Sequence, residues 1–476
     1  MTQKQSFRPC FCLWTGMTVR GRKLPTVPAM LAWAVLLFMP LSMLRSASAA
    51  DLYDIAASTP ARVVDASFFG THFHRLVPED GQKTRATPWP QGQVSSLRLW
   101  DSSTRWADLE PTRGAFNFTR LDAYVAKAQA SGASVLMVLG SPPRWASARP
   151  DEPGPYGPGC AAEPANLDDW DRYVSAVVRR YKGRITKYEL WNEPYFSDIP
   201  TDRDQPGAFF SGSVATMVNL ARRTRAVLDR EDPKAVLLTP GFVGGVNRME
   251  MFLRAGGAPY VGGVAYHFYA SEDRELIQLH NDIRAVMTRY GLSQLPLYNT
   301  ESGIAAGDAN APSTAAAGAL PDRMTAASLL ARSMLLGAYL GIDRFYQYAW
   351  DNGNSGMVLR QSLAITPSAT AFASVRRWLV GTTLTGCRLE PGDTVQCEGT
   401  RAGNRLLIMW RASGASPAMV QLPATLQPLA AEYASDQRQP INLAGMRASG
   451  ILVGLDPLVV WSRAPSVAAG AKASSR

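Results

Sequence analysis

KYELWNEPYF, residues 187–196, sets an amide and a carboxylate, Asn192 and Glu193, at the end of an aromatic, apolar run. Ile185 and Thr186 are β-branched, and Tyr188 and Leu190 follow them, which is the composition of a buried strand. Pro194 stops the run, because proline has no N–H to give to a sheet ladder. Two polar side chains therefore stand where a buried strand opens into a loop. In a barrel of parallel strands that is where chemistry collects. In a protein without such a site the same pair would be a surface ion pair.

To either side of this stretch, strand-like and helix-like segments alternate from about residue 66 to residue 380. The strand candidates are Ser67–His72, Val94–Trp100, Ser134–Gly140, Ile185–Asn192, Ala235–Thr239, Gly263–Phe268, Leu295–Thr300 and Asp343–Trp350. Between them lie helical patterns. In DDWDRYVSAVVRRYKG, Trp170, Tyr173, Val174 and Val177 recur at helical spacing and Gly183 sits at the stop. In DRMTAASLLARSMLLGAYLG, residues 322–341, the apolar residues gather on one side and Gly341 ends the run. Eight strands alternating with helices predict an α/β fold, a (β/α)8 TIM barrel. A doubly wound open sheet is the alternative, but no Gly-rich phosphate loop opens any of these helices.

Connection lengths favour the barrel. The helix-to-strand links KGRI, EDPKA, GLSQLP and LGID are short, whereas three strand-to-helix links are long: Ser141–Pro164, Tyr195–Gly212 and Ser302–Pro321. Long irregular loops gathered at one end build the walls of a cleft. Past Val380 the pattern becomes short strands with turn residues, such as RLLIMW and PLVVW. This predicts a small C-terminal antiparallel, sandwich-like β-domain over 381–463, to which residues 51–65 can add a strand. The tail 464–476 is polar and small and is expected to be disordered.

The 476 residues are 46% hydrophobic, enough for one large domain and a small companion. The net charge of +10 invites a nucleic-acid reading until it is located. Lys4, Arg8, Arg20, Arg22, Lys23 and Arg45 precede residue 50, where no acid occurs, which leaves 43 basic against 39 acidic residues. No basic stripe remains, so nucleic acid is not an expected partner. The basic start leads instead into the apolar run Leu31–Leu44 and the small residues SASAA. That is the layout of a secretory signal over residues 1–49, and it predicts a periplasmic or secreted protein. Left uncleaved, the same segment would tie the chain to the inner membrane. Cys387 and Cys397 flank Pro391-Gly392-Asp393 symmetrically. A hairpin would set them opposite one another as a disulfide, with two free thiols as the alternative. Cys160 has no base beside it in sequence.

Glu193 needs a partner, and LPLYNTESG, residues 295–303, ends the seventh strand on Glu301. Two carboxylates ending different barrel strands converge on one axis. Paired carboxyls flanking a bond are what glycoside hydrolysis requires, one to protonate the leaving oxygen and one to attack or to activate water. Arg98 and Trp100 share a face of the second strand, and an inward Arg98 can hold Glu301 ionised or serve as a structural ion pair. His267 and Tyr269 share a face at the sixth strand. Trp106 and Trp145 are candidates for stacking on a sugar, although such tryptophans are often core. Asp101 and Asp351 are candidates for binding hydroxyls or for capping loops. His72 and His74 share a face of the first strand. With His267 they suggest zinc, but no further Cys/His cluster completes a site. A sugar-hydroxyl contact or a core histidine fits them better.

The Trp-Asn-Glu-Pro of the fourth strand and the Thr-Glu-Ser-Gly of the seventh resemble the clan of (β/α)8 retaining glycosidases. Within it the chain is most similar to glycoside hydrolase family 39, in particular to bacterial exopolysaccharide endoglycosidases of the Psl type. LRLWDSSTRWADLEPTRGAFNFTRLDAYVAKAQASG (residues 97–132), SPPRWAS at the third strand and YHFY at the sixth carry the same resemblance, which spans roughly residues 68–351. It implies Glu193 as general acid/base and Glu301 as nucleophile. It further implies that Asn192 meets a sugar 2-hydroxyl, that Tyr269 stands against the nucleophile, and that Trp350 forms an aromatic floor beneath the sugar. The extended signatures of the family's xylosidases and iduronidases are not matched, so the resemblance carries no substrate from them. The expectation is an endo-acting enzyme that cleaves β-linkages in a bacterial exopolysaccharide, as a monomer, with no cofactor. An exo-acting β-glycosidase and a non-catalytic carbohydrate-binding component of an export system are the alternatives. Retention predicts carboxyls ~5–5.5 Å apart, inversion ~6.5–9.5 Å.

Overall fold

Strands buried on both faces read as apolar runs, and here such runs form a parallel sheet. In this computed structural model the described residues are 61–463, apart from 79–84, 204, 206, 308–319, 354, 414–415 and 436–440. The parallel strands are β1 (Phe69–Thr71), β2 (Ser96–Leu99), β3 (Ser134–Leu139), β4 (Lys187–Leu190), β5 (Val236–Leu238), β6 (Phe242–Val243), β7 (Val264–His267), β8 (Leu297–Ser302) and β9 (Arg344–Gln347). Their order is β5-β4-β3-β2-β1-β9-β8-β7-β6. The two ends meet: Leu238 bridges Gly263 and Asn192 bridges Gly241, both in parallel sense. β5 and β6 are thus two halves of the fifth barrel strand, which breaks between them where Pro240 cannot donate. The expected single strand Ala235–Thr239 is corrected to this interrupted one, and the eight-position barrel stands. β7, β8 and β9 are its sixth, seventh and eighth strands.

The helices α1 (Trp106–Leu109), α2 (Thr119–Ala130), α3 (Leu167–Tyr181), α4 (Val214–Glu231), α5 (Asn247–Phe252), α6 (Asp273–Arg289), α7 (Arg323–Tyr339) and α8 (Pro367–Leu379) follow the strands. Asn166 caps α3 through the N–H of Asp168, and the predicted stripe of Trp170, Tyr173, Val174 and Val177 is buried. α7 differs from its one-sided expectation. Ala326, Leu330, Met334 and Leu335 are buried, but so are Ser328, Arg332 and Gly337 on other faces. The reason is a second layer. The C-terminal sheet, ordered β10 (Thr383–Glu390), β11 (Thr394–Arg401), β12 (Asn404–Arg411), β16 (Leu458–Arg463) and β14 (Pro428–Tyr433), is antiparallel and packs over this helix. A two-stranded sheet of β13 (Ala418–Val420) and β15 (Ile451–Val453) completes it, together with a short helix, α9 (Leu443–Ser449), that sequence patterning did not suggest.

At this junction Asp273 accepts from Arg332 Nε at 2.8 Å and from the indole of Trp410 at 2.7 Å, while Arg332 Nη2 donates to the carbonyl of Ala412 at 2.6 Å. Cys387 and Cys397 are paired in register across β10 and β11 and are disulfide-bonded, as the hairpin reading expected. Cys160 is free and buried. Val63 bridges Thr383, and Val64 exchanges backbone hydrogen bonds with Thr382 and Gly381, each at 2.9 Å, so the described part of the segment before the barrel pairs with the start of the β-domain. The signal-like segment and the polar tail lie outside the described residues. Among the described residues no helix is long and apolar enough to cross a membrane.

The barrel interior is layered. Leu136, Leu238, Ala265, Tyr298 and Tyr346 form a small apolar cluster of their own. In the next layer toward the C-terminal ends of the strands stand Arg98, Glu189, His267 and Thr300, all but fully buried.

Candidate active site

β4 ends at Leu190, and the next residues leave the sheet sharply. Trp191 and Glu193 both take left-handed backbone conformations, with φ of 70° and 39°. Such φ values are costly for residues with a Cβ and persist where the surroundings impose them. Here the Glu193 N–H donates to the carbonyl of Gly241 at 2.8 Å, and the Trp191 indole donates to the carbonyl of Phe209 at 2.7 Å. Gly241 is required by crowding: a Cβ there would stand 2.1 Å from Glu189 Oε1 and 2.8 Å from His267 Nε2. Glu301 reaches the same place from β8.

Arg98 is the hub. It is fully buried and donates from Nε and Nη2 to the two oxygens of Glu189, at 2.7 and 2.8 Å. Nη1 donates to Glu301 Oε2 at 2.9 Å and Nη2 to Asn192 Oδ1 at 2.7 Å. Nη2 also faces His267 Nε2 at 3.4 Å. Since arginine can only donate, Nε2 is the accepting nitrogen and Nδ1 carries the hydrogen. That hydrogen points to Glu193 Oε1 at 2.7 Å. Burial, reinforced by Arg98, drives the His267 pKa down to about 4, so the ring is neutral. The same logic turns Asn192 Nδ2 away from Arg98.

The two carboxylates differ in their donors. Glu301 receives Arg98 on one oxygen and the hydroxyl of Tyr269 on the other, at 2.7 Å. Among the described residues no arginine or lysine is bonded to Glu193. Burial pushes its pKa up to about 7, Asp101 adds to the rise, and the more distant charges of Arg98 and Arg248 oppose it. Burial also raises Glu301, with Glu193 adding to the effect and His267, Arg98 and the Tyr269 hydroxyl opposing it. Arg98 does not cancel the burial of Glu301 because its charge is shared with Glu189. One oxygen of each carboxylate and one ring nitrogen of His267 lie within 4.8 Å of one another. These are atom types that a cation accepts, but Arg98 already brings a positive charge to the same place.

The walls are aromatic. Asp101 accepts from the hydroxyls of Tyr156 and, at 2.5 Å, Tyr348, and so serves as the anchor of two tyrosines. Trp100 meets Tyr156 and Phe209 edge-on, at 5.6 and 5.8 Å between ring centres. Tyr269 holds its hydroxyl at Glu301 while 46% of the residue's surface is open. The loops after β3 and β4 are knitted together where Arg149 meets Glu163 at 2.8 Å and Ser211 at 2.9 Å.

Of the residues singled out from sequence, Glu193, Glu301, Asn192, Arg98, His267 and Tyr269 converge in one bonded cluster, and Trp100 lines the adjoining wall. His72 is fully buried and bonds the Thr300 carbonyl through Nε2 at 3.1 Å. His74 lies beside Tyr348, with ring centres 5.2 Å apart, and its buried Nε2 has no hydrogen-bond partner among the described residues. His72 and His267 engage separate groups, so the three histidines do not form a zinc set. Two tryptophans are corrected. Trp350 is 3% exposed and packs on Phe73 and on Phe372 of α8, on the helix side of the barrel. Strand alternation ends at Gln347, and beyond it the tyrosine two residues earlier, Tyr348, faces the cleft. Trp145 is turned back by a 3-10 turn at Arg144–Ala146. It packs on Trp106, donates to the carbonyl of Glu110 and borders a shallow depression with Arg113 and Asp169, away from both carboxylates. Trp106 is core. Asp351 caps a loop, accepting from the N–H groups of His74 and Arg75 at 2.8 and 3.0 Å.

Sequence reasoning missed Glu189, Tyr348 and Tyr156. Glu189 had a signal: a charge within an apolar parallel strand must be paired.

With this geometry in place, comparison with known proteins finds the same architecture elsewhere. A beta-galactosidase family profile matches residues 80–155. A family 39 glycoside hydrolase from Bacteroides cellulosilyticus WH2 is 17% identical, with a TM-score of 0.62 over 84% of this chain and 82% of that one. A glucosidase from Croceicoccus marinus is 15% identical, with a TM-score of 0.59 over 85% and 99%. A monomeric beta-xylosidase from Caulobacter crescentus CB15 is 14% identical, with a TM-score of 0.55 over 85% and 98%. The fold is shared with these glycoside hydrolases, over more than four-fifths of both chains in each case.

Proposed function

We infer that the protein is a retaining glycoside hydrolase acting on β-linkages. One observation carries the reading. Carboxylates from the ends of the fourth and seventh barrel strands bring one oxygen each within 4.8 Å, yet one is cradled by a cation and a tyrosine while the other sits against a neutral imidazole. Two carboxyls facing one another in unlike surroundings suit direct attack by one while the other protonates the leaving oxygen.

In the first step Glu301 attacks the anomeric carbon as Glu193 gives its proton to the leaving oxygen. His267 Nδ1–H occupies Glu193 Oε1, which leaves Oε2 to carry that proton. In the second step Glu193 takes a proton from water, which attacks the anomeric carbon and releases Glu301. Asn192 Nδ2, turned toward the cleft, meets the sugar 2-hydroxyl. The substrate is proposed to be a bacterial exopolysaccharide cut internally, which the long knitted loops favour. The signal-like residues 1–49 favour export to the periplasm or beyond.

The test is the release of new reducing ends from the producing organism's own exopolysaccharide by wild type and Glu301→Gln. Oligosaccharides from wild type alone are expected. Monosaccharide alone would mean exo action, and equal release by both proteins would remove Glu301 from the mechanism.

A further inference from the structure

Glu189 touches no space in which a substrate can sit, yet it holds the residue on which the whole site is hung. Its oxygens take the Nε and Nη2 hydrogens of Arg98, and Thr300 Oγ1 supports Oε1 at 3.3 Å. That side-on grip fixes the guanidinium plane. With the plane fixed, Nη1 can only point to Glu301, and Nη2 to Asn192 and His267. Nucleophile, 2-hydroxyl donor and the tautomer beside the acid are all set through one clamp. The grip has an electrical consequence as well. One cation faces two buried carboxylates, so Glu301 receives the donors without receiving the whole charge. A carboxylate neutralised completely is a poorer nucleophile, because the cation holds the electron pair that must attack.

Resting on the glycosidase reading above, we propose that Glu189 is a positioning residue that orients Arg98 and divides its charge, keeping Glu301 both placed and reactive. The charged and titratable groups facing this assembly come from every surrounding strand end. β2 supplies Arg98, the β4 end Glu193, β7 His267, and the residues just after it Tyr269. β8 supplies Glu301, and His72 and Tyr348 follow β1 and β9. Of these, His72 and His267 are neutral through burial, and burial pushes the tyrosine hydroxyls well above their ordinary range. Asp101, between the two wall tyrosines, is a second negative charge near Glu193, and Arg248 a more distant cation. Glu189 is the negative charge bonded to Arg98 itself, whose removal the two catalytic carboxyls would feel through that shared cation.

Glu189→Gln keeps the shape and removes that charge. With an aryl β-glycoside that wild type hydrolyses, or with the polysaccharide itself, both limbs of the kcat/KM pH profile are expected to move toward acid by about one pH unit. Limbs that stay in place while activity falls would overturn the inference and leave Glu189 a stability residue. If Glu189→Gln does not fold, Glu189→Asp decides. It keeps the charge but shortens the grip, so kcat per active site, titrated with a 2-deoxy-2-fluoro glycoside, should fall at least about tenfold with the limbs unmoved. Wild-type kcat per titrated site would overturn the proposal. A wild-type protein that hydrolyses neither substrate class would instead sink the glycosidase reading, and this inference with it.

Discussion

Two buried arginines invite comparison. Arg332, at the junction of barrel and β-domain, faces one acid, Asp273, whose other oxygen takes the Trp410 indole, and it spends a further donor on the Ala412 carbonyl. One positive charge meets one negative charge, and every neighbour is structural. Arg98, at the cleft, meets two carboxylates, an amide and an imidazole. The first arrangement closes on itself and joins two layers. The second leaves a surplus negative charge and two carboxyls raised by burial, and that unbalanced state is the one capable of chemistry. The parts are alike; the count of charges separates stability from function.

The largest expected effect breaks the cleft side of this contrast. Glu301→Gln should cost at least ~10³-fold in kcat, because no other carboxylate can attack from that face. Its melting temperature should not fall, since Arg98 keeps Glu189. Initial-rate kinetics beside a thermal melt would check both, and an active Glu301→Gln would remove the nucleophile from the mechanism.

Glu193→Gln should be selective. With a poor leaving group the loss is expected at ~10²–10⁴-fold, whereas a dinitrophenyl glycoside, which needs no proton, should lose far less in the glycosylation step. Equal losses with both leaving groups would contradict the acid role.

At the junction, Arg332→Met should destabilise by ~3–5 kcal/mol, as breaking a buried pair strands Asp273. Yet kcat/KM measured well below the melt should match wild type. A large change in kcat/KM with stability intact would mean that the two clusters are coupled and the comparison false.

The smallest effect concerns pH and stability. The Glu193 pKa stands at about 7 in the folded protein against an ordinary 4.5. The folded state therefore holds a proton that the unfolded chain releases, and stability falls as pH rises from about 4.5 to about 7. Glu193→Gln cannot ionise, so it should gain on wild type by ~3 kcal/mol at pH 8 and by nothing near pH 4. Denaturant melts at the two pH values would show it. For activity the sign is the same: turnover needs protonated Glu193, so the basic limb should lie near pH 7.

Much of this was readable from one sequence. The alternation of strands and helices, the ends of the fourth and seventh strands, and the shared faces of Arg98 with Trp100 and of His267 with Tyr269 follow from period and parity. Parity held only while the strand lasted. At Trp350, expected in the cleft from the family resemblance, the chain had left β9 and the side chain packs behind the barrel instead. The all-round burial of α7 was hidden because its outer face is covered by a domain more than forty residues further on. Glu189 looked like ordinary polar alternation, since its partner is 91 residues away. The interruption of the fifth strand at Pro240 reads equally well as a strand end.

The proposed double displacement turns on Glu301 forming a covalent bond to sugar while Glu193 manages the proton. Mass spectrometry of the protein after incubation with 2,4-dinitrophenyl 2-deoxy-2-fluoro-β-glycosides of the gluco, manno and xylo series would observe that bond itself. One added sugar is expected, localised by peptide fragmentation to Glu301 and absent from Glu301→Gln. A label on another residue, or hydrolysis that yields the inverted anomer with no label, would contradict the double displacement.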